Sequence, residues 1–452
     1  MYNKIYSYDA YDQYDEIEDP IYYLYHLPNI ITYLIEYPIN STQFYEENEM
    51  QYDLQSNLYQ NYHHNHYIPN SNINYENYDK NYEYQNNQHI ENLNENYNPP
   101  KMTHLRGLVN IESTCYMNSI LQCFSHITEL CDYFKTPKMN QLAAKNISNK
   151  NKIYPVFQEV IINLWNTWDS SPYSPNNFKN RLGEMNPLFK GAYPNDAKDL
   201  LTFLLLNLHE ELNKPKNNNI NNNVVNINNQ QNKEVMFKIF SQHFINNYRS
   251  IISGLFFGVI NVHTICSFCN ANYYNYQTFN FLIFPLEKVL EYKNSLTNYN
   301  SNFINSVTIE DCFRHYQLTS ILNNYYCNKC KNQINCSYTN KISILPNIII
   351  IILNRGKGLQ YNVNISFDEN IGLKDYVEYC KDESIYELIG LVTHYGESSA
   401  SGHFMARCKS PIDGNWYLYN DQIVTKIGYF DKKTFAQGNP YILFYKKIKF
   451  KK

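Results

Sequence analysis

The sequence predicts an α+β fold in which helices come first and a largely antiparallel sheet follows. Apolar residues recur at helical spacing from Cys115 to Phe134, and the runs 156–168 and 196–212 look like further helices. From residue 255 onwards, short runs rich in β-branched and aromatic residues are typical of strands. A block of helices followed by a block of strands favours the α+β class.

Residues 1–100 have a different composition, which is acidic and rich in Tyr and Asn. They show no sustained helical or strand period and offer too little apolar surface to offset their ordering entropy, so we predict a disordered, low-complexity region. The first twenty residues lack the basic segment and apolar run of a signal peptide. The apolar run 21–39 is interrupted by polar residues and two prolines, so we expect no membrane span.

Organised sequence is predicted over residues 101–450. It divides into a helical segment at 105–215, a disordered low-complexity insertion at 216–233, and a mainly β segment at 235–450. The Asn- and Ser-rich stretch 293–306 is predicted to be a loop.

Charge and cysteine content limit the class of protein. A net charge of −4 and a pI near 6.4 give no basic surplus, so nucleic acid is not an expected partner. The eleven cysteines are an odd number, and several stand singly in apolar segments. We therefore expect a reducing compartment, the cytoplasm and/or the nucleus, with cysteines used for metal binding or catalysis.

Two Cys-x-x-Cys pairs predict a metal site. Cys266 and Cys269 end one strand-like run, and Cys327 and Cys330 follow another. Four thiolates favour tetrahedral zinc, and one shared ion explains two matched pairs better than a redox motif or four unrelated cysteines. With no fifth group evident, the zinc is expected to be structural. Cys336 is a spare candidate ligand nearby, although a free thiol in a loop is the preferred interpretation.

A second group of residues begins at Cys115, which stands where a polar turn becomes an amphipathic helix. Packing, metal ligation, redox pairing and nucleophilic catalysis are all open for such a cysteine. Ser113 and Thr114 are of the types that cap helices, so Cys115 is expected in the first turn, where orphan N–H groups and the helix dipole favour a thiolate. Cys123 and Cys131, further along the same predicted helix, are interpreted as small buried hydrophobes.

A thiolate nucleophile needs a base, and the base needs an orienting group. His403 lies where a Gly- and Ser-rich segment leads into a strand, and Asn420 and Asp421 end the alternating strand that follows. Two antiparallel strands joined by a turn would bring His403 beside the Asn420 amide. Asn110 is a candidate donor, with the Cys115 N–H, for the oxyanion of acyl transfer, and it is equally a turn-forming residue.

These motifs resemble those of the ubiquitin-specific proteases, a family of papain-like deubiquitinases. The segment GLVNIESTCYMNSILQCF resembles their Cys box, and LIGLVTHYGESSASGHFMARCK with WYLYNDQIV resembles their His box. NDAKDLLTFLLLNLHEEL resembles their acidic helix segment, LPNIIIIILNR resembles a strand that precedes a family signature, and the paired cysteines resemble their zinc-bearing fingers. The ordered match extends over roughly residues 107–447.

The resemblance implies a papain-like fold with a helical thumb, a β palm and zinc-braced β fingers. It implies hydrolysis of the bond after the C-terminal glycine of ubiquitin, with Cys115 as nucleophile, His403 as general base and Asn420 as the third triad member. It further implies that Asn110 donates to the oxyanion and that Asp421 supports the site.

The resemblance also implies how ubiquitin is held. Asp196 matches an acidic residue that contacts the ubiquitin tail, and His394 and Tyr395 lie where the channel for the tail is lined. The implied partners are ubiquitin and ubiquitinated proteins. They would be bound by a monomer that carries one zinc ion on four cysteines.

Several positions depart from the family pattern. Glu112 and Ser113 replace Gly-Asn before the nucleophile, and glutamate would be strained there if the family glycine marks a positive φ. The charge of Glu112 would also oppose the helix-terminus effect on the thiolate. The other departures are Phe404, Gly356, Pro194 and Asn195. Two alternatives therefore stay open: a catalytically weak or inactive ubiquitin-binding scaffold, and a protease for a ubiquitin-like modifier.

Overall fold

The computed structural model describes residues 105–166, 171–215, 231–296, 305–356, 362–379, 384–396 and 402–448. The tract 1–100 and most of the insertion 216–233, both predicted to be disordered, lie outside the described residues. Within these ranges, no helix has the length and apolar character of a membrane span.

Helices dominate the first half of the described chain and strands the second, which confirms the predicted α+β class. The helices are α1 (Cys115–Ser125), α2 (Thr128–Lys135), α3 (Pro137–Asn146), α4 (Tyr154–Leu164), α5 (Asn176–Met185), α6 (Ala197–Leu212), α7 (Lys233–Asn247), α8 (Ile251–Phe256), α9 (Leu286–Leu296), α10 (Ile309–Tyr316) and α11 (Lys432–Phe435). The strands are β1 (Gly258–Cys266), β2 (Asn272–Phe279), β3 (Leu282–Pro285), β4 (Ser306–Thr308), β5 (Ser320–Cys327), β6 (Asn332–Ile344), β7 (Ile348–Asn354), β8 (Asn364–Ser366), β9 (Asn370–Gly372), β10 (Ile385–Tyr395), β11 (His403–Lys409), β12 (Trp416–Asn420), β13 (Ile423–Gly428) and β14 (Asn439–Lys447).

Helix α1 is enclosed by the rest of the protein, and every one of its residues is buried. It lies against β10 and β11 on one side and against α6 on another. Phe124 in this helix makes edge-on contacts with Phe157, Phe256 and Phe444, which belong to α4, α8 and β14. Burying such a ring is worth about 1.5–3 kcal/mol, so α1 is fixed between the helices and the sheet.

The apolar spacing predicts one helix from residue 115 to residue 134, but these residues form two helices, α1 and α2. At their junction, His126 Nδ1 lies 2.7 Å from Gln122 O, the carbonyl that would accept the His126 N–H in a continuing helix. That N–H donates instead to Cys123 O at 3.2 Å. The prediction that Cys131 shares a helix with Cys115 is therefore wrong, although both cysteines are buried.

A large sheet has the strand order β13-β12-β11-β10-β14-β7-β3, and β9 also pairs with β10. Strand β7 lies inside this sheet and carries a run of isoleucines. Ile348, Ile350 and Ile352 face the core that the helices share, whereas Ile349 and Ile351 face a second core on the other side. Because both faces are covered, the strand is continuously apolar instead of alternating.

A smaller antiparallel sheet has the order β2-β1-β6-β5 and consists of two hairpins. The turns of the β1–β2 and β5–β6 hairpins contain Asn270 and Lys331, whose φ values of 53° and 56° are in the left-handed region. Strands β1 and β6 are neighbours, so the two turns lie side by side at one end of the sheet. Each turn carries one of the Cys-x-x-Cys pairs.

Two segments differ from the prediction. Residues 233–247 form helix α7 inside the segment that the sequence predicts to be mainly β. In this helix Phe237 and Phe240 pack against Tyr276 of β2. Helix α9 continues to Leu296, so the predicted loop at 293–306 begins as helix.

Candidate active site and metal centre

Cys115 is the first residue of α1, where the N–H groups have no preceding helical carbonyl to bond. Thr114 occupies the N-cap position, but its hydroxyl accepts from the Ile111 N–H at 2.8 Å and not from the helix. The Cys115 side chain is 6% exposed. The thiol therefore lies at the positive end of the helix dipole with little access to solvent.

The loop before Cys115 has an uncommon backbone conformation. Glu112 and Ser113 have φ values of 52° and 62°, which lie in the left-handed region. Glu112, which stands where the family has glycine, therefore has a positive φ. This region costs a residue with a side chain about 1–2 kcal/mol. Asn110 closes the loop, because its Oδ1 accepts from the Thr114 N–H at 2.8 Å.

His403 begins β11 and lies beside both Cys115 and Asn420. Its Nε2–H donates to Asn420 Oδ1 at 2.7 Å, which leaves Nδ1 as the ring nitrogen available to the thiol. The hydrogen bond to Cys115 raises the pKa of His403 to about 9; burial opposes this rise and Asn420 adds to it. The ring therefore carries a proton at neutral pH.

Asp421 turns the chain between β12 and β13 with a φ of 51°. One carboxylate oxygen accepts from Asn110 Nδ2 at 2.7 Å and also lies 3.8 Å from His403 Nε2. The other oxygen accepts from Asn118 Nδ2 at 2.8 Å. Asn118 is buried on α1 and was missed in the sequence analysis. The signal that points to it is a polar side chain one turn after Cys115 on a fully buried helix.

Asp196 is the N-cap of α6, and its two carboxylate oxygens are both engaged. One accepts from the Lys198 N–H and the other from the Tyr441 hydroxyl, each at 2.8 Å. Asp199 follows one turn later, and burial together with the charge of Asp196 raises its pKa to about 6. Asp199 is not among the predicted site residues, although it stands three residues after Asp196 in the sequence. The pair makes this end of α6 acidic.

His394 and Tyr395 end β10, beside β11. His394 is fully buried, and neither ring nitrogen has a hydrogen-bond partner among the described residues. Burial lowers the pKa of His394, while Asp196 raises it and His403 lowers it further, so His394 lies within electrostatic reach of both. Tyr395 is the register partner of His403, and its hydroxyl accepts from Arg407 at 2.7 Å.

The four predicted metal ligands meet at the end of the smaller sheet. The sulfurs of Cys266, Cys269, Cys327 and Cys330 all lie within 4.8 Å of one another. The Cys266–Cys330 and Cys269–Cys327 separations are 3.8 and 3.6 Å. Four sulfurs bound at about 2.3 Å to one tetrahedral zinc ion are about 3.8 Å apart. The donor set therefore fits a single ion of that size.

Two further side chains surround this cluster. The Tyr273 hydroxyl lies 3.3 Å from Cys327 Sγ and accepts from the Lys329 N–H at 3.2 Å. Contacts of this kind orient metal-ligating sulfurs. Cys336 is 1% exposed and lies outside the four-sulfur cluster, as the preferred interpretation of a free thiol has it, but it belongs to β6 and not to a loop.

The sequence matches a family described as "Ubiquitin carboxyl-terminal hydrolase" over residues 106–445. Similar curated proteins include "Ubiquitin carboxyl-terminal hydrolase 2" of Bos taurus, which is 27% identical over 358 residues, 75% of this chain and 55% of that protein. "Ubiquitin carboxyl-terminal hydrolase 3" of Homo sapiens is 26% identical over 364 residues, 75% of this chain and 67% of that protein. The chain thus spans about half the length of the first of these relatives.

The fold is similar to solved structures of the SAGA DUB module. A structure described as the yeast SAGA DUBm has a TM-score of 0.56 at 20% identity and covers 84% of this chain and 76% of its own. Another, described as the Ubp8/Sgf11/Sus1/Sgf73 DUB module bound to ubiquitin aldehyde, has a TM-score of 0.54 at 20% identity, with 84% and 77% covered. At this level of identity the likeness establishes the fold.

Proposed function

Because this chain belongs to the ubiquitin carboxyl-terminal hydrolase family, we propose that it is a deubiquitinating cysteine peptidase. It hydrolyses the peptide or isopeptide bond after the C-terminal glycine of ubiquitin through a Cys–His–Asn triad and an acyl-enzyme. One observation carries the proposal: His403 donates to Asn420 at 2.7 Å, while its hydrogen bond to Cys115 raises its pKa to about 9. In this fold the helices α1–α6 are the thumb, the large sheet is the palm and the smaller sheet is the fingers.

Cys115 acts as the nucleophile and His403 as its proton partner. Cys115 attacks as the thiolate, and the raised pKa of His403 keeps a positive charge beside the sulfur at neutral pH. The thiolate attacks the glycine carbonyl carbon, and His403 gives its proton to the departing lysine amine. The neutral imidazole then deprotonates the water that releases the ubiquitin carboxylate. Asn420 orients the ring throughout by accepting from Nε2–H.

The tetrahedral intermediate requires donors around its oxyanion. The Cys115 N–H is one, because it stands at the helix N-terminus. Asn110 is the second: one amide N–H donates to Asp421 at 2.7 Å, its Oδ1 is held by Thr114, and the other N–H is left for the substrate. Asp421 is therefore a positioning residue, which ties Asn110 and, through Asn118, helix α1 to the palm.

The tail of ubiquitin runs between thumb and palm, past Asp196, His394 and Tyr395. Asp196 and Asp199 supply carboxylates for a cationic group of the partner, and His394 is fully buried within electrostatic reach of Asp196. Support for ubiquitin as the partner comes from similar solved structures, which are described as bound to monoubiquitin and to ubiquitin aldehyde.

Zinc is the ion proposed for the fingers. Cys266, Cys269, Cys327 and Cys330 would hold the ion, and four protein ligands are typical of a structural zinc site that is closed to water and substrate. The ion therefore supplies a cross-link between two hairpins, and its binding free energy becomes folding free energy of the fingers.

One observation favours a second candidate, a catalytically weak or inactive ubiquitin-binding scaffold. Glu112 and Ser113 hold a left-handed conformation in the loop that leads through Thr114 to Cys115, and Glu112 adds a negative charge to that loop. Both effects oppose a nucleophile without opposing binding. A third candidate, a protease for a ubiquitin-like modifier, would use the same residues on a different partner.

A ubiquitin that carries an electrophile at its C-terminus distinguishes these candidates. The full, zinc-loaded chain should form a stoichiometric adduct on Cys115, located by peptide mass spectrometry, and Cys115→Ala should form none. Cys131→Ser changes another buried cysteine of the thumb and should label normally. Tight ubiquitin binding by folded protein without an adduct would favour the scaffold. An adduct only with a probe built on another modifier would favour the third candidate.

A further inference from the structure

The fingers contain a cysteine that the proposed zinc site does not use. Cys336 lies on β6, is 1% exposed and belongs to the same apolar cluster as Cys266 and Cys327. Four thiolates complete the tetrahedral shell of zinc, so a fifth thiol has no place in it. The chemistry open to Cys336 depends on its position relative to Cys266.

Cys336 stands directly opposite Cys266 on the neighbouring antiparallel strand. The Ser267 N–H donates across the pair of strands to Asn335 O at 3.4 Å, whereas the Cys266 N–H donates to Ala271 O, on the side of β2. Cys266 and Cys336 are therefore a non-hydrogen-bonded pair, in which Cα atoms lie about 4.5 Å apart and side chains approach closely. Disulfides span Cα separations of about 4.4–6.8 Å. The backbone thus permits a disulfide between them.

The sulfur cluster has an exposed and a buried side. Cys269 and Cys330 are partly exposed, whereas Cys266, Cys327 and Cys336 are buried. Cys330 Sγ lies 3.8 Å from Cys266 Sγ. An oxidant arriving from solvent therefore meets Cys330 before Cys336, and Cys266 connects the two.

We propose that Cys336 is the resolving thiol of a redox switch, in which hydrogen peroxide converts Cys266 and Cys336 to a disulfide and zinc is released. The inference rests on the zinc assignment in the proposed function. In the first step the Cys330 thiolate attacks peroxide and becomes a sulfenic acid, with loss of hydroxide. In the second, the Cys266 thiolate attacks that sulfur and expels a second hydroxide, which leaves a Cys266–Cys330 disulfide.

The third step transfers the disulfide to the buried pair. One hydroxide deprotonates Cys336, whose thiolate attacks the Cys266 sulfur and returns Cys330 as a thiolate. Overall, Cys266 and Cys336 lose two electrons, and peroxide takes them up to become water and hydroxide. The ion loses its Cys266 ligand and dissociates. Cys330 emerges as a thiolate, and the disulfide now joins two buried cysteines.

The test uses the full chain with a measured zinc content. Hydrogen peroxide is added, released zinc is followed with a chromogenic chelator, and disulfides are mapped by mass spectrometry of non-reduced peptides. We expect a Cys266–Cys336 linked peptide to accumulate as zinc leaves, and reductant with added zinc to restore the original zinc content. Cys336→Ser should still lose zinc, but its linked peptides should join Cys266 to Cys330, because the third step cannot occur without the Cys336 thiol. Cys312→Ser, a buried cysteine outside the cluster, should behave as the unaltered chain.

In the unaltered chain, linked peptides confined to Cys266, Cys269, Cys327 and Cys330 would overturn the switch. If Cys336→Ser does not fold, the disulfide map of the unaltered chain decides by itself. A chain that binds no zinc but forms the Cys266–Cys336 link contradicts the zinc assignment and the release of metal. A zinc-loaded chain that never forms the link contradicts only the resolving role of Cys336.

Discussion

The region around Cys115 and the end of the fingers both depend on cysteine sulfur, but the two regions are assembled differently. At the fingers each hairpin turn supplies two sulfurs that are three residues apart in sequence. Around Cys115, the partner residues come from the far end of the chain, because His403 and Asn420 lie on β11 and β12. A metal ion is the proposed centre of the first group. Hydrogen bonds and the packing of α1 hold the second.

This difference indicates where each region is vulnerable. Four thiolates within 4.8 Å would repel one another without an ion between them, so the proposed metal site makes the fingers depend on a ligand from outside the chain. Cys115 instead has a positive charge from the protein itself beside it, the protonated His403 ring, and it begins a fully buried helix. Loss of metal should therefore damage ubiquitin binding and leave the nucleophile intact.

The largest expected effect comes from Cys327→Ser, which removes one ligand of the ion. Structural zinc contributes about 10–16 kcal/mol of apparent binding free energy, and most of that should be lost. We expect the fingers to unfold locally, KM for a ubiquitin substrate to rise steeply, and reaction of Cys115 with a small alkylating reagent to stay unchanged. Zinc content, hydrogen exchange of β1 and β6, and alkylation kinetics measure the three outcomes.

Cys336→Ser is the matched control for that experiment, because it removes a neighbouring thiol that is not a ligand. It should keep its zinc under reducing conditions. Full stability and full ubiquitin affinity of Cys327→Ser after chelation would show that the fingers do not need the ion. Loss of Cys115 alkylation in the same variant would instead show that the two regions are coupled.

The sequence predicted the two regions unequally well. The metal ligands were identifiable from local spacing alone, because each pair sits within one turn. The grouping of Cys115, His403 and Asn420 needed the order of the strands and the family resemblance, because nothing local connects them. Asn118 was missed since its partner, Asp421, lies 303 residues away.

The misplaced secondary structure has similar causes. The single helix predicted from residue 115 to residue 134 is interrupted at His126, whose side chain hydrogen-bonds to the Gln122 carbonyl of the helix. The spacing of apolar residues carries no information about such a contact. Helix α7 follows directly on a low-complexity insertion, yet Phe237, Phe240 and Phe244 already have helical spacing. The first error could not have been avoided from periodicity, whereas the second could.

A smaller effect is expected from changing His403, the residue that carries the positive charge beside Cys115. His403→Ala should lower kcat about 10²- to 10⁴-fold, the usual range for a general acid–base group. In the unaltered chain the pKa of His403 is raised to about 9, so the imidazolium persists above neutral pH and is lost only as the pH rises through that value. We therefore expect kcat/KM for a ubiquitin–fluorophore substrate to fall on an alkaline limb near pH 9.

Asn420→Ala sharpens this prediction, because Asn420 is one of the groups that raise the pKa of His403. The alkaline limb should move to lower pH in that variant. Asn364→Ala, on an exposed position of β8, should leave the limb where it is. If the alkaline limb of kcat/KM stays at the same pH in Asn420→Ala, a group other than His403 determines the pH dependence.

The smallest expected effect separates strain from charge at the entrance to α1. Glu112 has a φ of 52°, a conformation that costs a residue with a side chain about 1–2 kcal/mol and glycine almost nothing. Glu112→Gly and Glu112→Ala both remove the carboxylate, but only the glycine variant relieves the backbone, so it should be the more stable of the two by about 1 kcal/mol in urea unfolding.

If the charge alone restrains Cys115, both variants should raise kcat equally. If backbone strain holds the loop in its working shape, the glycine variant should gain stability and turn over more slowly than the alanine variant. Equal stabilities for the two variants would mean that residue 112 is not held in the left-handed region in solution.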